Sequence, residues 1–164
     1  MPMYYYHCLE TSIFEKLYIV TDENSLISIH FDKEDMEKQH IDLVERSEHR
    51  LINEVKKQLQ EYFSGDRTEF NVPITLQGTK FQVNVWKALT NIHYGETRSY
   101  KQIADVIQNP QAVRAVGQAN RRNKIPIIIP CHRVIGQNKS LVGYAGSQTH
   151  YKEKLLKLEG IRLD

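Results

Sequence analysis

Cysteine is scarce in this chain: Cys8 and Cys131 are the only two among 164 residues. So few thiols exclude a disulfide framework, and neither has the paired spacing of a zinc site. Long apolar runs are missing too, since no stretch reaches the roughly 18 residues that a membrane-spanning helix needs. The start, Met1-Pro2-Met3-Tyr4, has no charged segment leading into an apolar one of the kind that directs secretion. These absences predict a cytoplasmic protein in a reducing, intracellular setting, where a free thiol persists. There is also no internal repeat and no low-complexity segment. The length suits one ordinary core or two small lobes.

A net charge of +2 hides a division within the chain. Residues 1–78 carry 8 Lys and Arg against 15 Asp and Glu, a net −7, while residues 79–164 carry 14 against 5, a net +9. From Thr97 to Lys139 the only acid is Asp105, against eight basic residues. Such an asymmetry fits a phosphate-binding face, and it also fits an ordinary solvated surface.

Along the chain, Tyr4–Leu9, Leu17–Val20 and Leu26–Phe31 are short, aromatic or β-branched, and separated by polar turns, which predicts an antiparallel meander. The polar stretch Asp32–Glu48 reads as an exposed loop. Ser47 is placed to cap a helix with Leu51, Ile52, Val55, Leu59, Tyr62 and Phe63 on one face, ended by Gly65. A boundary near Gly78 separates an amino-terminal domain, residues 1–77, from a second domain, residues 78–164.

Thr79 with Gln82 forms a capping-box pattern that opens a helix whose Phe81, Val85, Trp86, Leu89 and Ile92 make a core stripe. Ser99 with Gln102 opens another through about Ile107, and Asn109-Pro110 is placed to start a third, about Gln111–Asn120. Two short helices joined by a turn of about three or four residues read as a helix-turn-helix. The second carries Arg114 among Ala112, Ala115, Gly117 and Ala119, small residues that suit either a nucleic-acid groove or packing on another helix. Gly136–Lys139 reads as a hairpin turn and Gly143–Gly146 as an aromatic loop. Thr149 caps a last helix through Leu158, with Gly160 past its end. The expected fold class is α+β, a small amino-terminal lobe of antiparallel sheet plus helix packed on a mainly helical, winged-helix-like carboxy-terminal lobe.

The chemistry concentrates where Ile127-Ile128-Ile129 runs into Pro130-Cys131-His132-Arg133-Val134. A cysteine ending an apolar run is commonly a small buried hydrophobe. Its neighbours point the other way, because cationic or proton-accepting groups lower a thiol pKa from about 8.5. A papain-like thiol hydrolase also pairs Cys with His, but it would leave the basic half unexplained.

Five segments together resemble the O6-alkylguanine-DNA alkyltransferase family, the methylated-DNA-protein-cysteine S-methyltransferases. They are Gly78-Thr79-Lys80-Phe81-Gln82 with Val85-Trp86, Tyr94 to Tyr100, Arg114-Ala115-Val116-Gly117, Pro126 to Val134, and Gly143-Tyr144-Ala145-Gly146 with Leu155 to Gly160. They span most of residues 78–160 in the family's order, and the first lobe is similar in character to the family's α/β amino-terminal domain. Gln118, Lys124 and Ser147 depart from the usual pattern, and Gln148–Lys154 lacks an aromatic often found there.

The resemblance implies a DNA-repair protein that extrudes O6-alkylguanine, and also O4-alkylthymine, from double-stranded DNA. The alkyl group passes once and irreversibly to Cys131, and the protein acts as a monomer with no cofactor. His132 takes the thiol proton through a water, Glu159 accepts the other imidazole N–H, and Tyr100 donates to the guanine ring nitrogen N3. Arg114 enters the base stack, with Ala115, Tyr100 and Asn123 also on the DNA side, Asn123 tying the recognition helix to the active-site turn. The backbones of Val134 and Ala145, with Tyr144, line the base pocket, and Arg133 is a structural partner. Some members hold zinc near their start, but His7, Cys8 and His30 do not reproduce that set, so no metal is expected. The alternative is a non-catalytic alkyl-lesion binder, and such relatives lack the cysteine.

Overall fold

The structure, a computed structural model, describes residues 3–136 and 147–162, without the side chains of residues 147–149. The chain divides into two units, residues 1–76 and 77–164, each taken by itself below.

In the first unit, β1 (Tyr4–Thr11), β2 (Glu15–Thr21) and β3 (Leu26–His30) pair antiparallel in sequence order. Side chains alternate between the two faces. Val20 and Ile27 pack with Tyr4, Tyr6 and Tyr18 on one face, around the buried Met36. Tyr5, Leu9, Leu17 and Ile19 fall on the other, where α2 (Arg50–Phe63) crosses β1 and β2 and buries Ile52, Val55, Leu59 and Tyr62.

The expected exposed loop over Asp32–Glu48 is instead a helix and a strand. Asp32 caps α1 (Lys33–Gln39) by accepting the Asp35 N–H at 2.7 Å, and Met36 alone anchors the helix in the core. One apolar residue in seven gives no periodicity to read. Downstream, β4 (Leu43–Glu45) pairs parallel with β1, so the sheet, ordered β3-β2-β1-β4, is mixed and not the antiparallel one expected. The cap of α2 also shifts, from Ser47 to His49, whose Nδ1 accepts the Ile52 N–H at 3.4 Å.

A hydrogen-bonded chain links α1 to β3. Ser28 Oγ lies 2.8 Å from His40 Nε2 and 2.7 Å from His30 Nε2, and His30 Nδ1 lies 2.7 Å from Asp35 Oδ2. Burial holds His30 and His49 below the usual histidine pKa, with Asp35 partly opposing at His30. The unfolded chain therefore binds protons near pH 6 that the folded one refuses. Stability contributed by these residues is complete above about pH 6.5 and is lost as pH falls below it. Melting temperature should thus be lower at pH 5.5 than at pH 7.5, and equal values would contradict this.

The second unit begins with α3 (Lys80–Leu89), followed by β5 (Arg98–Ser99) and α4 (Tyr100–Val106). Both expected capping boxes are present: Thr79 and Gln82 exchange bonds of 3.1 and 3.0 Å, and Ser99 and Gln102 bonds of 3.0 and 2.8 Å. Trp86 Nε1 donates to the Ala119 carbonyl at 2.9 Å and so fixes α3 against α5 (Val113–Arg121). A Cβ at Gly78 would sit 2.7 Å from the ring of this anchored Trp86. Gly78→Ala is therefore expected to cost about 1–3 kcal/mol in urea unfolding.

The helix α5 starts three residues later than Asn109-Pro110 suggests, and no side chain caps it. The reason lies at the end of α4, where Gln108 takes a left-handed φ of 61° and Asn109 N–H returns to the Ala104 carbonyl at 2.9 Å. Asn109 N–H thus closes one helix while its carbonyl accepts the Ala112 N–H at 3.0 Å, a further turn that delays the start of α5. Pro110 sits in the resulting turn, which is longer than a three- or four-residue link.

After α5 come a single 3-10 turn (Cys131–Arg133), β6 (Val134–Ile135) parallel to β5, and α6 (Ser147–Leu158). The last helix begins before the expected cap Thr149. It closes on Gly160, whose φ of 80° lets its N–H reach Lys157 O at 3.0 Å and the Ile161 N–H reach Leu156 O at 2.9 Å. That closure places Glu159 at the helix end with its side chain turned inward. The hairpin and aromatic-loop positions 137–146, Tyr144 and Ala145 among them, lie outside the described residues.

Candidate active site

The segment leading to Cys131 is strained and tightly held. Ile127, a β-branched residue that is 1% exposed, has φ of 76°. A non-glycine residue in that region costs about 1–3 kcal/mol. Asn123 braces the bend from both sides: its Nδ2 donates to Ile129 O at 2.8 Å and its Oδ1 accepts the Ile125 N–H at 3.0 Å. Ile129 N–H closes the bend on Ile125 O at 2.9 Å, and Cys131 N–H then bonds Ile129 O at 2.8 Å. Asn120 on α5 reaches the Cys131 carbonyl at 3.3 Å. The cysteine sits on this frame, 6% exposed. Removing the brace with Asn123→Ala should destabilise the protein by about 1–3 kcal/mol in denaturant titration and slow Cys131 alkylation.

Behind the cysteine lies a buried charge network. Glu159 receives His132 Nε2 at 2.7 Å and Arg133 Nη2 at 3.0 Å on one oxygen, and Arg133 Nε at 2.9 Å and Gly95 N–H at 3.1 Å on the other. Arg133 Nη1 also donates to Ile92 O at 2.6 Å. A buried carboxylate survives only with such partners. Because Nε2 faces an acceptor, it carries the imidazole proton and leaves Nδ1 as the acceptor, an assignment made from the partner. His132 Nδ1 is buried and has no hydrogen-bond partner among the described residues. Burial pushes the His132 pKa down, against the opposing pull of Glu159, so the ring is neutral near pH 7.

Tyr100 opens α4 half-buried, its ring against Gly117. Burial, then the Cys131 charge, pushes its phenol up to about 12, while Arg121 and Asn120 oppose. Lys152 on α6 donates to the Val134 carbonyl and lies 3.4 Å from the Tyr100 hydroxyl. The Val134 N–H is taken by the Cys131 carbonyl. Arg114 and Ala115 project from the exposed face of α5, opposite the buried Val116, Ala119 and Asn120. Lys101, Arg121 and Arg122 are exposed as well. No group of three or more His, Cys, Asp or Glu among the described residues is arranged to hold a metal ion.

Two family models match the chain. One, described as the 6-O-methylguanine DNA methyltransferase ribonuclease-like domain, covers residues 4–76, and the other, its DNA binding domain, covers residues 80–161. The chain belongs to the 6-O-methylguanine DNA methyltransferase family. Among curated relatives, the constitutive methylated-DNA–protein-cysteine methyltransferase of Bacillus subtilis is 48% identical over 97% of each chain. A methylated-DNA–protein-cysteine methyltransferase of Methanosarcina mazei is 50% identical over 94% of this chain and 96% of its own. The crystal structure of Mycobacterium tuberculosis OGT in complex with DNA superposes with a TM-score of 0.84 at 42% identity, covering 94% of this chain and 92% of that one.

Of the residues singled out in this methyltransferase sequence, the second unit gathers Cys131, His132, Glu159, Tyr100, Asn123 and Val134 around the 3-10 turn. Arg114 and Ala115 it presents on the outer face of α5. Two neighbours of the cysteine were missed. Asn120 interrupts the apolar stripe Val116–Ala119–Asn120, and Lys152 shares a buried stripe with Leu155, Leu156 and Glu159. A polar residue falling in phase with a core stripe is the signal that could have found both.

Proposed function

We propose that this methyltransferase repairs DNA by extruding O6-alkylguanine from the duplex and transferring the alkyl group to Cys131, once per protein molecule. The observation that supports the reading is the Cys131 thiol set directly before a neutral, buried His132 whose far nitrogen is bound to Glu159.

An alkyl group on guanine O6 lies within the stacked duplex and reacts only once the base is turned out. Arg114, exposed on α5, enters the stack and occupies the vacated space, a role that suits a planar cation. Ala115 and the rest of the small-residue face allow close approach to the duplex. His132 Nδ1 draws off the thiol proton by way of a water, and Glu159 steadies the imidazole. The sulfur lone pair forms a bond to the alkyl carbon, and the carbon–O6 bond breaks with its electron pair carried into the purine. Tyr100 gives a proton to N3. A high phenol pKa keeps that proton in place beside a thiolate until the purine becomes basic. The Val134 backbone holds the base edge, with Tyr144 and Ala145 assigned the facing wall. A thioether has no carbonyl for water to attack, so the thiol is not regenerated. The protein acts as a monomer in the reducing cell interior, where Cys131 stays free.

Incubation with a duplex containing O6-methylguanine, followed by peptide mass spectrometry, tests the proposal. One methyl group on the Cys131 peptide is expected, with repaired guanine equal in amount to protein. Repeated turnover, or tight binding with Cys131 unmodified, would sink it.

A further inference from the structure

Asn120 is a buried amide on α5 to which the reaction above assigns no part. It is 1% exposed and stands about 9 Å along the helix from Arg114. Its Nδ2 donates to the Cys131 carbonyl at 3.3 Å, which fixes the amide, since the reversed orientation would set two acceptors face to face. On α5, Gly117 leaves room for the Tyr100 ring, and Asn120, about one turn further on, is a hydrogen-bond partner that favours the Tyr100 phenolate. Asn120 Oδ1 is buried and has no hydrogen-bond partner among the described residues.

For stability alone, an amide is a poor choice at this position. A buried acceptor left unpaired destabilises the fold, and a leucine of nearly the same shape would avoid it. That exchange would strand neither neighbour, because the Cys131 carbonyl also accepts the Val134 N–H and the Tyr100 hydroxyl keeps its bond from Lys152. What the amide supplies is an N–H beside the group that turns anionic when the purine leaves. Burial and the Cys131 charge hold the phenol proton tightly, at about 12, and Arg121 and Asn120 oppose them.

We propose that Asn120 is a positioning residue for alkyl transfer, an amide that spans from the Cys131 carbonyl to the Tyr100 hydroxyl and steadies the phenolate formed as the purine departs. This rests on Cys131 being the alkyl acceptor and Tyr100 the proton donor. As the sulfur–carbon bond forms, the carbon–O6 electron pair passes into the purine and the Tyr100 proton moves to N3. The Asn120 N–H then faces an oxygen anion, and a hydrogen bond to a charged group is about twice as strong as one between neutral groups. An interaction that strengthens only as the reaction proceeds accelerates the chemical step and leaves substrate binding unchanged. His132 holds the thiol proton meanwhile and returns it to the phenolate through solvent, so thioether, guanine and neutral phenol remain. Asn120 also belongs to the helix that carries Arg114, so the element that meets the duplex is the one that supports the proton donor.

Asn120→Leu tests this in single-turnover transfer from a duplex containing O6-methylguanine. The rate at saturating duplex should fall about tenfold, while the half-saturating duplex concentration stays unchanged and the melting temperature equals or exceeds that of the wild type. Alkylation of Cys131 by iodoacetamide should keep the wild-type rate, because iodide leaves without a proton. Wild-type transfer at saturating duplex in folded Asn120→Leu overturns the proposal. A slowing of iodoacetamide in the same proportion overturns it as well, since the cysteine turn itself would then be disturbed. Should Asn120→Leu not fold, Asn120→Ala is read in the same way, and failure of both to fold would make the amide structural and overturn the proposal. Wild-type protein that takes no methyl group from the duplex would overturn the repair reaction itself, and this inference with it.

Discussion

Cys131→Ser is expected to abolish alkyl transfer while leaving the protein folded and able to bind O6-methylguanine duplex. A serine hydroxyl is weakly nucleophilic at its ordinary pKa, and the reaction is an attack on an sp3 carbon that offers no carbonyl to polarise. Burial lowers the basicity of His132, so it is far too weak a base to make an alkoxide from a hydroxyl much less acidic than a thiol. The substitution is nearly isosteric, and the bonds that hold residue 131 are made by its backbone N–H and carbonyl, which serine keeps. Binding should persist because Arg114 is untouched and Lys101, Arg121 and Arg122 remain exposed to meet phosphates. The measurement is transfer of a radiolabelled methyl group from duplex to protein, beside a binding titration at fixed salt. Label appearing on the variant would mean that another group accepts the alkyl. Arg114→Ala gives the complementary pattern: repair of duplex falls steeply, while Cys131 still reacts with iodoacetamide at the wild-type rate. A mere phosphate contact would instead show a modest loss that depends on salt.

Glu159→Ala should lower stability by about 3–5 kcal/mol, because it leaves the Arg133 guanidinium buried without its carboxylate. It also strands His132 Nε2 and the Gly95 N–H. At this chain length each kcal/mol corresponds to about 2–4 °C, so the melting temperature should fall by about 10 °C. Replacing the pair together, Arg133→Met with Glu159→Leu, should recover much of that loss, since an apolar pair avoids burying charge altogether. Transfer activity should not recover, because nothing then holds the His132 tautomer. If stability and activity returned together, the network would be structural only.

What the sequence determined by itself is local. The capping boxes at Thr79 and Ser99, the apolar stripes of α2 and α3, and the glycine that ends α6 depend on residues within a few positions of one another, and their chemistry is legible in order. The Pro130–Val134 motif, read in company with the distant family segments, carried the reaction class. Tertiary structure decided the rest. Three residues of β4 are a strand only because β1 lies beside them. Met36 makes α1 a helix because a sheet face is there to bury it. Asn109 serves the end of α4, a competition between two helices that a capping pattern alone does not rank. By composition Lys152, Arg133 and Glu159 are three more charged residues on a chain rich in them, and only the family resemblance marks Arg133 and Glu159. Their burial is set by which carbonyls, rings and counter-charges the fold brings up to them. A charge enters a core only when those partners are in place, and a linear sequence does not show where the partners will be.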